Sequence, residues 1–103
     1  MKHLIRHSLD QETAQRVAHL ALESYRERFS QYDTRVHWPS DELANISFSV
    51  KGVSLSGTFE LRPGAFAVDL KVPFIFSLFK GKAISIVEAE VRIWIAKAEA
   101  GEI

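Results

Sequence analysis

Four histidines, His3, His7, His19 and His37, are the first residues to test for chemistry. His3 and His7 share a face if residues 2–7 are extended. They are then about 13 Å apart along the strand, too far to ligate one metal. His19 falls in a helical stretch and His37 in an alternating one. There is no HxH, no HExxH and no HxxxH on a helix. The carboxylates Asp10, Glu12, Asp41, Glu42, Glu60, Asp69, Glu88 and Glu90 could serve as general acids or bases. A paired-carboxylate catalyst needs a shielded pocket that separates two pKa values. Alternation sets Glu60 and Asp69 across a hairpin on a polar sheet face open to water, which suits a solubilising role. Ser47, Ser49, Ser54 and Ser56 lie on that face without a GxSxG elbow. The glycines form neither GxGxxG nor a phosphate loop. With no cysteine in the chain, disulfides, thiolate nucleophiles and cysteine-held metals are excluded. The expectation is a protein with no catalytic residue, no metal and no cofactor.

The elements that would position these groups belong to one domain over residues 1–103. Apolar residues make up 47% of the chain, enough for a core without staples. Thirteen basic and 13 acidic residues cancel. A net charge of zero argues against a nucleic-acid binder and against electrostatic docking on anionic lipid. MKHLIRHSLD at the N-terminus lacks the apolar region of a secretory signal. No run reaches the roughly 20 apolar residues of a membrane span. A cytoplasmic location is expected.

Residues 2–7 read as a short strand. Ser8 or Asp10 can cap the next helix, and Gln11 three residues after Ser8 fits a capping box. Ala14, Val17, Ala18, Ala21, Leu22, Tyr25, Phe29 and Tyr32 then recur in steps of three and four, one helical stripe. After Asp33 the period becomes two. Val36 and Trp38 share a face; Ile46, Phe48 and Val50 follow, then Val53, Leu55, Phe59 and Leu61, then Phe66, Val68, Leu70 and Val72. Turn chemistry separates these runs at residues 39–41, at Lys51-Gly52 and at Arg62-Pro63-Gly64. Gly57 interrupts one apolar face, as at a bulge or a close helix approach. From about Lys82 the helical period returns, with Ile84, Val87, Val91, Trp94, Ile95 and Ala98 on one stripe and Ile86 and Ile93 beside it. The predicted fold is α+β in the order β-α-β-β-β-β-α. Its five-stranded, mainly antiparallel sheet carries two helices on one face, and the first strand pairs beside the last.

Residues 72–80 read VPFIFSLFK. Phe74, Ile75, Phe76, Leu78 and Phe79 crowd where connections are usually polar. They either seal the core or present apolar groups outside, with Lys80 and Lys82 at the water boundary.

His7-Ser8-Leu9, Glu12 with Ala14, Gly52-Val53 with Gly57-Thr58, and VPFIFSLFKGK over residues 72–82 occur in an order that resembles the small polyhydroxyalkanoic acid system proteins. The similarity covers nearly the whole chain, and the phenylalanine-rich stretch before the last helix is its most specific part. Leu78 stands where many members carry a proline, and the last helix is more apolar than the family's acid-rich pattern. The resemblance implies an accessory protein of polyester storage and brings no catalytic residue with it. The expected role is therefore non-enzymatic binding of a polyhydroxyalkanoate granule surface, or of a granule-associated partner, through Phe74, Ile75, Phe76, Leu78, Phe79, Lys80 and Lys82. The alternative is a carrier of acyl or hydroxyacyl ligands in a cavity between sheet and last helix, lined by Trp38, Trp94 and the phenylalanine cluster of residues 74–79. A homodimer through the Ser/Thr-rich sheet face is a third reading.

Overall fold

The computed structural model describes residues 2–50, 52–71 and 80–103. Its elements are β1 (Lys2–Arg6), α1 (Gln11–Arg28), β2 (Arg35–Ser40), β3 (Leu43–Val50), β4 (Val53–Arg62), β5 (Ala65–Lys71) and α2 (Lys80–Glu99). All five strands pair antiparallel in the order β1-β5-β4-β3-β2. This is the α+β architecture expected, with β1 beside β5. The alternating apolar residues face α1 and α2. Ile5, Ala44, Ile46, Phe59, Phe66, Val68 and Leu70 meet Val17, Ala18, Ala21 and Leu22 of α1 and Ile84, Val87, Val91 and Ile95 of α2 in one core. The other sheet face is open in the single chain, with Asn45, Ser54, Ser56 and Lys71 exposed. Among the described residues no helix is long and apolar enough to cross a membrane.

Helix α1 starts at Asp10, whose carboxylate accepts the Thr13 N–H at 2.8 Å. Asp10 is thus the cap and Ser8 is not. Gln11 reaches sideways to Glu42 instead of closing a capping box. The stripe expected to run on to Tyr32 breaks after Arg28. Residues 30–32 form a 3-10 turn that ends at Asp33, at a positive φ of 52°. The Thr34 hydroxyl ties this corner down by donating to the Phe29 carbonyl at 2.7 Å.

Gly57 explains why that apolar stripe has a hole. It sits in register between Ile46 and Leu70. A Cβ there would lie 2.7 Å from the Asp69 carbonyl oxygen and 2.7 Å from Leu70 Cδ2. The strands can pack this closely only around a glycine. The same register corrects the pairing of Glu60 with Asp69. Asp69 stands opposite Thr58, and Glu60 stands opposite Ala67. The Glu60 carboxylate instead takes the Arg62 guanidinium at 2.6 Å.

Helix α2 is clasped to β1 by polar groups. His3 Nε2–H donates to Glu88 Oε1 at 2.5 Å, and Arg92 donates to Glu88 at 3.2 Å and to the Arg6 carbonyl at 2.7 Å. The His3 hydrogen bond, then Arg92, hold the Glu88 carboxyl below the usual range for glutamate.

His7 follows on β1's inward face, its ring 4.5 Å from Phe66. The Leu9 N–H donates to its Nδ1, so the proton sits on Nε2, which is enclosed and has no partner among the described residues. Burial, and then Arg92, push its pKa down. The unfolded chain therefore protonates His7 at higher pH than the folded one does, and stability falls as pH drops from about 7 towards 5. The loss of Glu88's contribution comes later, below about pH 4.5. His7→Asn keeps an oxygen for the Leu9 N–H and removes the titration. Urea midpoints measured from pH 7 to 5 are expected to vary less in this variant than in the parent. An equal slope in both proteins refutes this account of His7.

Candidate functional site

An apolar concavity lies at one end of the sheet. Phe48 and Val50, on the inward row of the β3–β4 hairpin near its turn, are only half-buried there. The end of α1 and the first turns of α2 lie over this end of the sheet. The result is a partly open cavity of about 530 Å³.

Its floor is Phe48, Val50, Leu55 and Leu70. The end of α1 and the turn after it contribute Tyr25, Phe29 and Tyr32, a run of rings with Tyr25–Phe29 centroids 4.9 Å apart and Phe29–Tyr32 centroids 6.4 Å apart. From α2 come Ala83 and Ile86, the alanine leaving room that a longer side chain would fill. Thr34, Ser56, Lys71 and Lys82 also line the cavity. Both lysines are exposed, which places them at the rim. Among the described residues lining the cavity there is no carboxylate. Its size is that of ordinary small-molecule pockets. Apolar walls, several hydroxyls and two rim cations suit an apolar chain with a polar or anionic end, and the described lining residues include no nucleophile–base pair. A second concavity of about 460 Å³ lies on the polar sheet face near Thr58, Glu60, Arg62 and Asp69. Its mixed charges and open setting give no apolar enclosure.

Of the residues expected to bind, Phe74, Ile75, Phe76, Leu78, Phe79 and the Lys80 side chain lie outside the described residues. Lys82 is on the cavity rim. Trp38 and Trp94, expected to line a ligand cavity, are not among its lining residues. Trp38 stacks on His19 with centroids 3.8 Å apart, closing the far edge between β2 and α1. Trp94 donates to Glu90 at 3.2 Å and carries Lys97 Nζ 4.4 Å above its ring. Glu90 is buried and ion-paired with Arg28 at 2.9 Å, so Trp94 belongs to the α1–α2 seam. The wide apolar arc of α2 is split between two uses. Ile86 borders the cavity, and Ile93 is 45% exposed on the outer side.

Tyr25, Phe29, Phe48, Leu55 and Leu70 read in the sequence as plain core positions. Among the described residues no three histidine, aspartate or glutamate side chains converge as a metal-binding group. No curated protein and no solved structure matches the chain. A family model described as polyhydroxyalkanoic acid system protein matches residues 4–93, nearly the whole of the two-helix, five-strand unit, and the chain therefore belongs to the polyhydroxyalkanoic acid system protein family.

Proposed function

We propose that this protein is a non-enzymatic accessory factor of polyhydroxyalkanoate storage, working in the cytoplasm at the granule, and that it holds hydroxyalkanoate chains in the cavity at the α1–α2 end of its sheet. The observation that carries the reading is the 530 Å³ apolar cavity. A domain of this size normally fills such space with its own side chains, and membership of the family supplies the polyester context. Burial of apolar ligand surface contributes about 25 cal/mol per Å². A chain of modest length can therefore bind without any charged contact, and Lys71 and Lys82 add attraction for a carboxylate end. The apolar sequence 72–79 joins β5 to α2, between the two rim lysines. Phe74, Ile75, Phe76, Leu78 and Phe79 remain, on sequence alone, the proposed contacts to the granule itself or to a granule-associated protein.

The test is displacement of an environment-sensitive fluorescent fatty acid by decanoate and 3-hydroxydecanoate. Tryptophan emission is a poor readout, since neither tryptophan lines the cavity. Saturable one-to-one displacement is expected in the parent. A loss of at least about tenfold in affinity is expected in Ala83→Phe, whose ring occupies the space beside Ile86. A parent that neither binds the probe nor yields it to either acid removes the cavity reading. Sedimentation with isolated granules tests the granule contact separately, and a folded parent left wholly in the supernatant removes that one.

A further inference from the structure

We propose that the Tyr25 hydroxyl selects oxygenated chains over plain hydrocarbon ones, so that the cavity's ligand class is hydroxyalkanoate rather than simple fatty acid. This deepens the cavity-binding reading and rests on it.

Tyr25 is only 7% exposed and is one of the residues that line the cavity. Its ring is fixed from one side by Phe29. Its hydroxyl has no hydrogen-bond partner among the described residues. Other buried polar side chains are satisfied: Thr34 donates to the Phe29 carbonyl, and Glu90 receives both Trp94 and Arg28. The Tyr25 oxygen is not sealed in the core either. His7 Nε2 is the one fully enclosed side-chain polar atom without a partner among the described residues. The phenol thus opens into an apolar space with one donor and its acceptor lone pairs unused. Desolvation raises its pKa, which keeps it a neutral donor at physiological pH.

An unbranched hydrocarbon chain in this cavity displaces water from the phenol and leaves it unsatisfied. A chain with a hydroxyl or ester oxygen along its length restores the bond. Discrimination of this kind, where a polar group in the site is either matched or stranded, is stronger than discrimination by shape alone. One net hydrogen bond corresponds to roughly 3- to 10-fold in affinity. The neighbouring hydroxyls act differently. Thr34 is already committed, and Ser56 is exposed to water at the rim.

The experiment compares 3-hydroxydecanoate with decanoate in the displacement assay, on the parent and on Tyr25→Phe, with thermal melts to confirm folding. The parent is expected to prefer the hydroxy acid roughly 3- to 10-fold. Tyr25→Phe is expected to abolish that preference by binding decanoate more tightly than the parent does, since no phenol is left stranded. A parent that binds both acids equally overturns the proposal, as does a variant that weakens both to the same degree, since that marks a packing role. Should Tyr25→Phe not fold, the parent's own ratio decides. If neither acid displaces the probe from the parent, the cavity reading has failed and this proposal goes with it. If decanoate binds and the hydroxy acid gains nothing, the proposal alone has failed.

Discussion

Phe66→Ala is expected to lower the unfolding free energy by about 3–5 kcal/mol. Phe66 is 0% exposed and sits where three strands and a loop converge. Its ring lies 5.1 Å from Phe59 and 4.5 Å from His7, and its backbone pairs with Ile5 on one side and Leu61 on the other. Truncation removes the largest side chain under β1 and leaves a void between two rings. A domain of this length has roughly 5–15 kcal/mol in total, so the variant should be close to unfolding at body temperature. Urea denaturation is the measurement, with an expected fall in midpoint of more than about 1 M. A fall equivalent to less than about 1 kcal/mol would mean that the site collapses easily. His7 adds a second readout. The new space lies beside its ring, and a water entering there that reaches Nε2 would relieve that unpartnered donor. The pH dependence attributed to His7 should therefore be weaker in Phe66→Ala than in the parent.

Gly57→Val should be comparably damaging for the opposite reason. Even the first carbon of a side chain meets the Asp69 carbonyl oxygen at 2.7 Å. That oxygen is backbone and can move only if the strand moves. The other close neighbour, Leu70 Cδ2, is a side-chain end and can rotate away. Overpacking of a filled interior typically costs about 1–3 kcal/mol, so alanine belongs in that range and valine at or above its top. Each kcal/mol lowers the melting temperature by roughly 4–8 °C in a domain this small. A Gly57→Val protein melting within about 4 °C of the parent would show that β5 shifts at little cost. The position also bears on function, since Leu70 is part of the cavity floor. Gly57→Ala should weaken decanoate binding as well as stability, and Ala83→Phe should weaken binding alone.

The two kinds of periodicity in the chain made the architecture legible. Steps of three and four through Ala14, Val17, Ala21 and Tyr25, and alternation through Ile46, Phe48, Leu55, Phe59, Phe66 and Val68, leave one face of each element to be buried. Two helices over one side of an antiparallel sheet satisfy all of them. Turn residues set the hairpins, and the lone glycine in β4 marked a tight approach, but the neighbour is strand β5 and not the helix expected.

The place where apolar groups are left over was decided elsewhere. Trp38 and Trp94 look like ligand platforms when read along the chain, yet each is occupied, one by His19 and the other by Glu90 and Lys97. Tyr25, in contrast, looks like one more rung of a buried stripe, and the fold sets it against empty space. Local pattern determines which side of an element avoids water. Whether that side finds a partner depends on which elements are stacked over it and on how closely they approach. Those relations are settled only when residues distant in the chain come together, which is why the elements could be read from the residues and the cavity between them could not.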